Sequence, residues 1–233
     1  MVEPRGGIPA AAIAVPCRYI HSPTAYLHRG DWNPASWKTP HPKTGAPTVW
    51  RYLNGMTGGS LMEDGIHELD VLNWIVNAPL DRVYAAGGNA ILTGRETIDH
   101  AVVTVEYQNG VKMQFGFTLL AGGGRVEPMM ITGDKATLYV DADKITIRPR
   151  APKQKSTVIQ VVEPEAPGAK ENPAMAGQGQ ANYLSIQSFL DNIRGGRMPE
   201  LDGRAGKEAL RIPLLAQKSI EERRIVAAAE LPA

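Results

Sequence analysis

A single cysteine, Cys17, in 233 residues leaves no partner for an internal disulfide. A reducing compartment, and so a cytoplasmic protein, is expected. Charge of one sign is also lacking: 25 Lys and Arg stand against 24 Asp and Glu, interspersed, for a net charge of +1. Nucleic-acid partners are excluded because no basic patch forms. No apolar run reaches the roughly 20 residues that span a bilayer, and no membrane partner is expected. Ile8 to Val15 is the nearest approach, but with Pro9 and Pro16 it reads as a buried strand rather than a signal segment. Cys17 reads as a small buried residue, not a nucleophile. Metal chemistry has no support either. His21, His28 and His41 share no ligand spacing, and the position four after His67 is Val71, which excludes a zinc-protease helix. No Gly-x-Gly-x-x-Gly joins a strand to a helix, since Gly122-Gly123-Gly124 is followed by no helix. There is no internal repeat.

The richest stretch runs from Thr57 to Asn77. Gly58-Gly59 precedes Ser60 and Glu63, whose capping-box spacing predicts a helix starting near Ser60. Ile66, Leu69, Leu72, Ile75 and Val76 give it an apolar face, and Asn77-Ala78-Pro79 ends it. Without a Cβ, Gly58 and Gly59 allow backbone or ligand to come close. His67 then has carboxylates at i−4 (Glu63), i−3 (Asp64) and i+3 (Asp70). Neighbouring carboxylates raise a histidine pKa and fix its tautomer, an arrangement suited to general acid/base work. A plainer alternative stays open, in which Glu63 completes the capping box and Asp64 only favours the helix N-terminus.

Before this helix, His21 to Trp50 is a Pro-, Trp- and His-rich stretch with little periodicity. It is either a functional loop or a loop packed by its own tryptophans. After it, Leu80–Leu92 reads as a strand with a possible bulge at Gly87-Gly88. Ala101, Val103, Val105 and Tyr107 alternate with polar neighbours, Asn109-Gly110 supplies a turn, and Val111 to Leu119 alternates in the same way. Phe115 and Phe117 take the covered face; Lys112, Gln114, Thr118, Thr146 and Arg148 have the parity of the open one. Further strands are expected near 129–132, 137–140, 145–148 and 157–162, a loop at 164–179, and helices over 182–194 and 204–222 with a kink at Pro213. A last strand falls within 223–229. The sum is an α+β fold: a mainly antiparallel, open-faced β-sheet with helices packed on one face.

The segment Gly58-Gly59-Ser60-Leu61-Met62-Glu63-Asp64-Gly65-Ile66-His67-Glu68-Leu69-Asp70 resembles the C-terminal domain of the Gfo/Idh/MocA family. These are NAD(P)-dependent oxidoreductases named for glucose–fructose oxidoreductase and inositol dehydrogenase. A second match lies in Ser188-Phe189, Ile193, Gly196, Pro199, Gly203, Gly206, Ala209-Leu210 and Ser219. Together they extend the resemblance from about Gly6 to about Val226. Two departures stand out. The family's Asp four residues before the His is Glu63 here. The family's Rossmann domain and its Glu-Lys-Pro lysine have no counterpart in this sequence.

The resemblance implies one substrate-binding and oligomerisation domain over residues 1–233, acting on a sugar, inositol or related polyol. It implies His67 and Glu63 as catalytic residues and Trp37, Trp50, Arg51, Gly58, Gly59 and Asp64 as substrate contacts. Hydride would pass to NAD or NADP held outside this sequence, and no dinucleotide is expected to bind this chain alone. A homo-oligomer through the sheet face is expected. A second reading is a stand-alone carbohydrate-binding or assembly module without redox activity.

Overall fold

A computed structural model describes residues 38–41, 43–45, 47–120, 129–141, 144–161, 178–199 and 202–231. The expected strand at Ile8–Val15, residues 164–177 of the expected loop, and Cys17, His21, His28 and Trp37 lie outside these. The chain divides into two compact units, Met1–Leu120 with Leu184–Ala233, and Ala121–Tyr183.

The first unit holds a short hairpin, β1 (Lys38–Pro40) with β2 (Pro47–Val49), in a stretch whose sequence shows no strand periodicity. Its main sheet is antiparallel, ordered β10-β3-β4-β5. The strands are β3 (Leu80–Gly88), β4 (His100–Tyr107), β5 (Lys112–Thr118) and β10 (Val226–Ala227). Alternation sorts the faces as expected. Val83, Ala85, Ala101, Val103, Val105, Tyr107, Met113 and Phe117 are buried, and Phe115 packs against them. Lys112, Gln114 and Thr118 are exposed on the other face. The bulge is not at Gly87-Gly88, which pair regularly with Ala101 and His100; the register shifts between Leu80 and Arg82 instead. The β4–β5 turn closes on Tyr107 and Val111, with Gly110 at φ +84°. A left-handed glycine at that place converts the Asn-Gly signal into a three-residue loop.

Helices cover one face of this sheet. After a turn of helix at Ser60–Glu63 (α2), α3 (Ile66–Val76) ends at Asn77, which adopts left-handed backbone. The last long helix, α5 (Gly203–Glu222), starts at Asp202, whose carboxylate accepts from the Arg204 and Ala205 N–H groups at 2.8 and 3.0 Å. It runs on through buried Pro213 and buries Ile212, Leu215, Ala216 and Ser219. Ser219 is the polar exception in this apolar layer. Its Oγ accepts from the Ala85 N–H at 2.8 Å and donates to the Arg224 carbonyl at 2.6 Å, so its burial is satisfied on both sides.

The second unit is an antiparallel meander in the order β6 (Met129–Thr132), β7 (Ala136–Asp141), β8 (Lys144–Pro149) and β9 (Thr157–Gln160). Ile131, Leu138 and Ile147 align across it on one face. Tyr139 pairs with Thr146 on the other, and the Arg148 guanidinium lies 4.6 Å from the Tyr139 ring centre. None of its described residues is fully buried. Helix α4 (Gln178–Arg194) begins four residues earlier than expected and ends at Gly195-Gly196. The architecture is therefore α+β and mainly antiparallel, with two open four-stranded sheets.

Leu215 is fully buried at the α5–sheet contact. Leu215→Ala should destabilise the first unit by about 2–5 kcal/mol. Val102→Thr, on the exposed face, should stay within about half a kcal/mol. Chemical denaturation of the two variants checks this contrast.

Candidate functional site

The site is built on the path from β2 into α3. A 3-10 turn, Trp50–Tyr52, leads through buried Leu53 into a short helix, α1 (Asn54–Thr57). Gly58 and Gly59 then reverse the chain with φ of +77° and +101°. Both values lie where side chains with a Cβ are strained, and a Cβ on Gly58 would meet the Met62 side chain at 2.5 Å. The glycine pair is thus demanded by the backbone itself, which is a sufficient reason for it apart from any ligand.

Ser60 does not cap the helix as its spacing predicts. Gly59 holds the N-cap position, while Ser60 is buried inside α2 and its Oγ donates to the Ile98 carbonyl at 2.6 Å. The expected single helix is also interrupted. Its first turn ends at Glu63, Asp64 and Gly65 intervene, and α3 starts at Ile66. Glu63 and Asp64 therefore belong to the turn before the break, and His67 is the second residue after it. The His67 N–H reaches the Asp64 carbonyl at 3.5 Å, the outer limit of such a bond. His67, Glu68 and Asp70 are all half-buried.

The two carboxylates ahead of the break turn to one cation. Arg51 Nε lies 2.5 Å from Glu63 Oε1, and Arg51 Nη2 lies 3.4 Å from Asp64 Oδ1. Arg51 thus pairs in charge with both carboxylates, and its closer approach is to Glu63. Burial pushes the Glu63 carboxyl up from 4.5 to about 7; Arg51 pulls it down and Asp64 pushes it up further. A carboxyl group poised there exchanges a proton at neutral pH, which is what a general acid or base requires.

A second loop braces this path. The Glu96 N–H donates to the Tyr52 carbonyl at 2.8 Å, and Glu96 Oε2 accepts the Asn54 N–H at 3.2 Å. Arg95 lies 5.0 Å from the Tyr52 ring centre, and His41 Nε2 is 3.5 Å from Glu96 Oε1. The loop is gathered by Asp99, whose buried carboxylate accepts the N–H groups of Ala90, Ile91 and Leu92 and lies 2.7 Å from His100 Nδ1. Burial alone would raise its pKa, but His100 and the three backbone donors outweigh it and hold it well below the usual carboxylate range. His100 opens β4. Glu96 and Asp99 were not singled out in the sequence. The available signal was a polar loop whose Asp could collect backbone N–H groups.

Of the residues expected to meet, Trp50, Arg51, Gly58, Gly59, Glu63 and Asp64 share this short path, and His67 follows it directly. Among the described residues no three His, Cys, Asp or Glu side chains converge as a metal ion would need. The Gly58-Gly59 turn does not suit a dinucleotide's pyrophosphate. Gly58-Gly59 opens only a four-residue helix, and Glu63 and Asp64 put negative charge where a pyrophosphate would need N–H groups and a cation. No described helix is long and apolar enough to cross a membrane.

The described residues build an α+β domain with a glycine turn, paired carboxylates and a helix-borne histidine. Residues 25–228 match the oxidoreductase family's C-terminal alpha/beta domain, and the chain belongs to that family, Gfo/Idh/MocA. It is 25% identical over 187 residues to the myo-inositol 2-dehydrogenase of Thermotoga maritima, covering 78% of this chain and 52% of that protein. Among solved structures it is similar to the WlbA dehydrogenase from Bordetella pertussis in complex with NADH and UDP-GlcNAcA. There the TM-score is 0.60 and the identity 21%, over 80% of this chain and 49% of that one. The aldose-aldose oxidoreductase from Caulobacter crescentus gives a TM-score of 0.61 at 17% identity, over 78% of this chain and 52% of that one. The chain thus spans about half the length of these relatives.

The Glu63 shift has a consequence for stability. A folded-state value raised from 4.5 to about 7 means that folding favours the protonated acid. Its contribution is fully present below about pH 4.5 and is lost as the pH rises through about 7. That loss should be roughly 3 kcal/mol at most, and Glu63→Gln should flatten this part of the stability profile. Denaturation midpoints taken across pH 4 to 8 measure it; a wild-type curve that climbs over the interval would contradict the assignment.

Proposed function

We propose that this chain is the substrate-side domain of an NAD(P)-dependent oxidoreductase acting on a sugar, inositol or related polyol. The observation that carries the reading is the poised Glu63, set with Asp64 and Arg51 immediately ahead of His67. Family membership and the similarity to the inositol dehydrogenase support the substrate class. The NADH-bound WlbA relative supports a nicotinamide dinucleotide, which supplies hydride chemistry from outside the residues described here.

In this reading His67 takes the proton from the hydroxyl being oxidised, or returns it in the reverse direction, and Glu63 serves as its acid/base partner. Trp37, Trp50, Arg51, Gly58, Gly59 and Asp64 form the substrate side of the site, and residues 1–233 act as one substrate-binding and oligomerisation domain. The polyol's ring of hydroxyls suits a site rich in charged hydrogen-bonding groups. Isolated from a dinucleotide-binding domain, the chain binds neither NAD nor NADP usefully. The protein works in the cytoplasm.

In an intact enzyme carrying this domain, His67→Ala should lower turnover about a hundredfold or more. Folding stability should change by less than about 1 kcal/mol. Glu63→Gln should lose less activity, and Glu63→Asp, which restores the family's usual residue, should be tolerated. Steady-state kinetics with myo-inositol and NAD, alongside thermal melts, separates these outcomes. Full turnover in a destabilised His67→Ala protein would make the histidine structural.

The exposed face of β3–β5 carries Tyr84 and Val102 among Arg82, Glu106, Lys112 and Gln114. Such a mixed surface suits a homo-oligomer with a wet interface. Sedimentation at high concentration should show more than a monomer, and a strict monomer would count against this surface.

A further inference from the structure

We propose that Arg51 is the positioning residue of this site: its guanidinium bridges Glu63 and Asp64 and keeps the Glu63 carboxylate available beside the start of the His67 helix. The inference deepens the functional reading above and rests on it for the role of His67. Its own support is geometric. Arg51 comes from the 3-10 turn, whereas the two carboxylates close α2, so the bridge joins separate segments. Nε addresses one carboxylate at 2.5 Å and Nη2 the other at 3.4 Å. A planar fork can address two acceptors in this way; a lysine ammonium is a point charge and cannot copy it.

The bridge also answers an electrostatic problem. Glu63 and Asp64 are adjacent, and their side chains are only 12% and 26% exposed, so they repel each other with little water between them and the protein. The charged groups bearing on Glu63 are Arg51, which favours its ionised form, and Asp64, which opposes it. Burial opposes it as well. Because the guanidinium favours the ionised form both by its charge and by hydrogen bonding, removing it acts directly on proton affinity. Burial and Asp64 are then left unopposed, Glu63 holds its proton throughout the neutral range, and it can no longer accept one.

The test is a carbon-13 NMR titration of the Glu63 carboxyl in the full chain and in Arg51→Gln. The midpoint should rise by at least one unit in the variant, lowering the carboxylate-to-acid ratio at pH 7 about tenfold or more. An unmoved midpoint in folded Arg51→Gln overturns the proposal. A second readout needs no variant: in the unsubstituted chain the Arg51 Nε–H resonance should shift with the Glu63 midpoint. An Nε–H that ignores that midpoint overturns the proposal whether or not Arg51→Gln folds. The two readings fail separately. Turnover unaffected by His67→Ala refutes the acid/base assignment and leaves the titration unchanged, while an unmoved titration refutes the bridge and says nothing against His67.

Discussion

The site depends on a carboxylate that takes no part in it. Asp99 is fully buried, and it gathers three consecutive backbone N–H groups together with the His100 ring nitrogen. This fixes the loop between β3 and β4. From that loop, Ile98 offers the carbonyl that receives Ser60, and Glu96 grips Tyr52 and Asn54. Arg51 immediately precedes Tyr52 in sequence, and Glu63 and Asp64 lie one turn beyond Ser60. Without Asp99 the two ends of the bridge would have no common frame. An unpaired carboxylate in that position would also carry a large desolvation penalty, so the loop and the acid hold each other in place.

Asp99 and Glu63 show how environment assigns different roles to the same functional group. Both are shielded from water. Asp99 has every acceptor position filled by donors aimed at it, and the result is a permanent anion. Glu63 has the Arg51 cation on one side and an adjacent carboxylate that opposes its ionised form. Complete pairing makes a structural acid; incomplete pairing makes an exchangeable one.

Much of the fold was legible because it obeys local rules. The alternation from Ala101 to Leu119 sorted the two faces of β4 and β5, and the Asn-Gly turn located the reversal between them. Asn77 and Pro79 marked the end of α3. Where the reading differed, a distant partner intervened. Ser60 has the spacing of a cap, but its hydroxyl serves a carbonyl 38 residues away, and Gly59 takes the terminal position instead. The interruption at Asp64–Gly65 separates α2, anchored to the β3–β4 loop and Arg51, from α3, which packs against α5. The β1–β2 hairpin has three residues a side, too few to show a period. At the site, the residue types and their order were readable, but the direction of Glu63 and Asp64 toward Arg51 was not, because that contact is set by the tertiary path of the intervening chain.

Ser219 has a consequence for the order in which the molecule is made. Its hydroxyl joins β3 to the residues that follow α5, and β10 completes the sheet at the β3 edge. The partners on β3 leave the ribosome more than a hundred residues before the serine does, as the separation of 134 between Ala85 and Ser219 records. During synthesis the β3–β5 hairpins therefore emerge with their apolar face and one edge uncovered. They cannot close as a unit until α5 and β10 have been translated. The nascent domain spends most of its synthesis as an unfinished sheet, exposed to chaperones or to other unfinished copies.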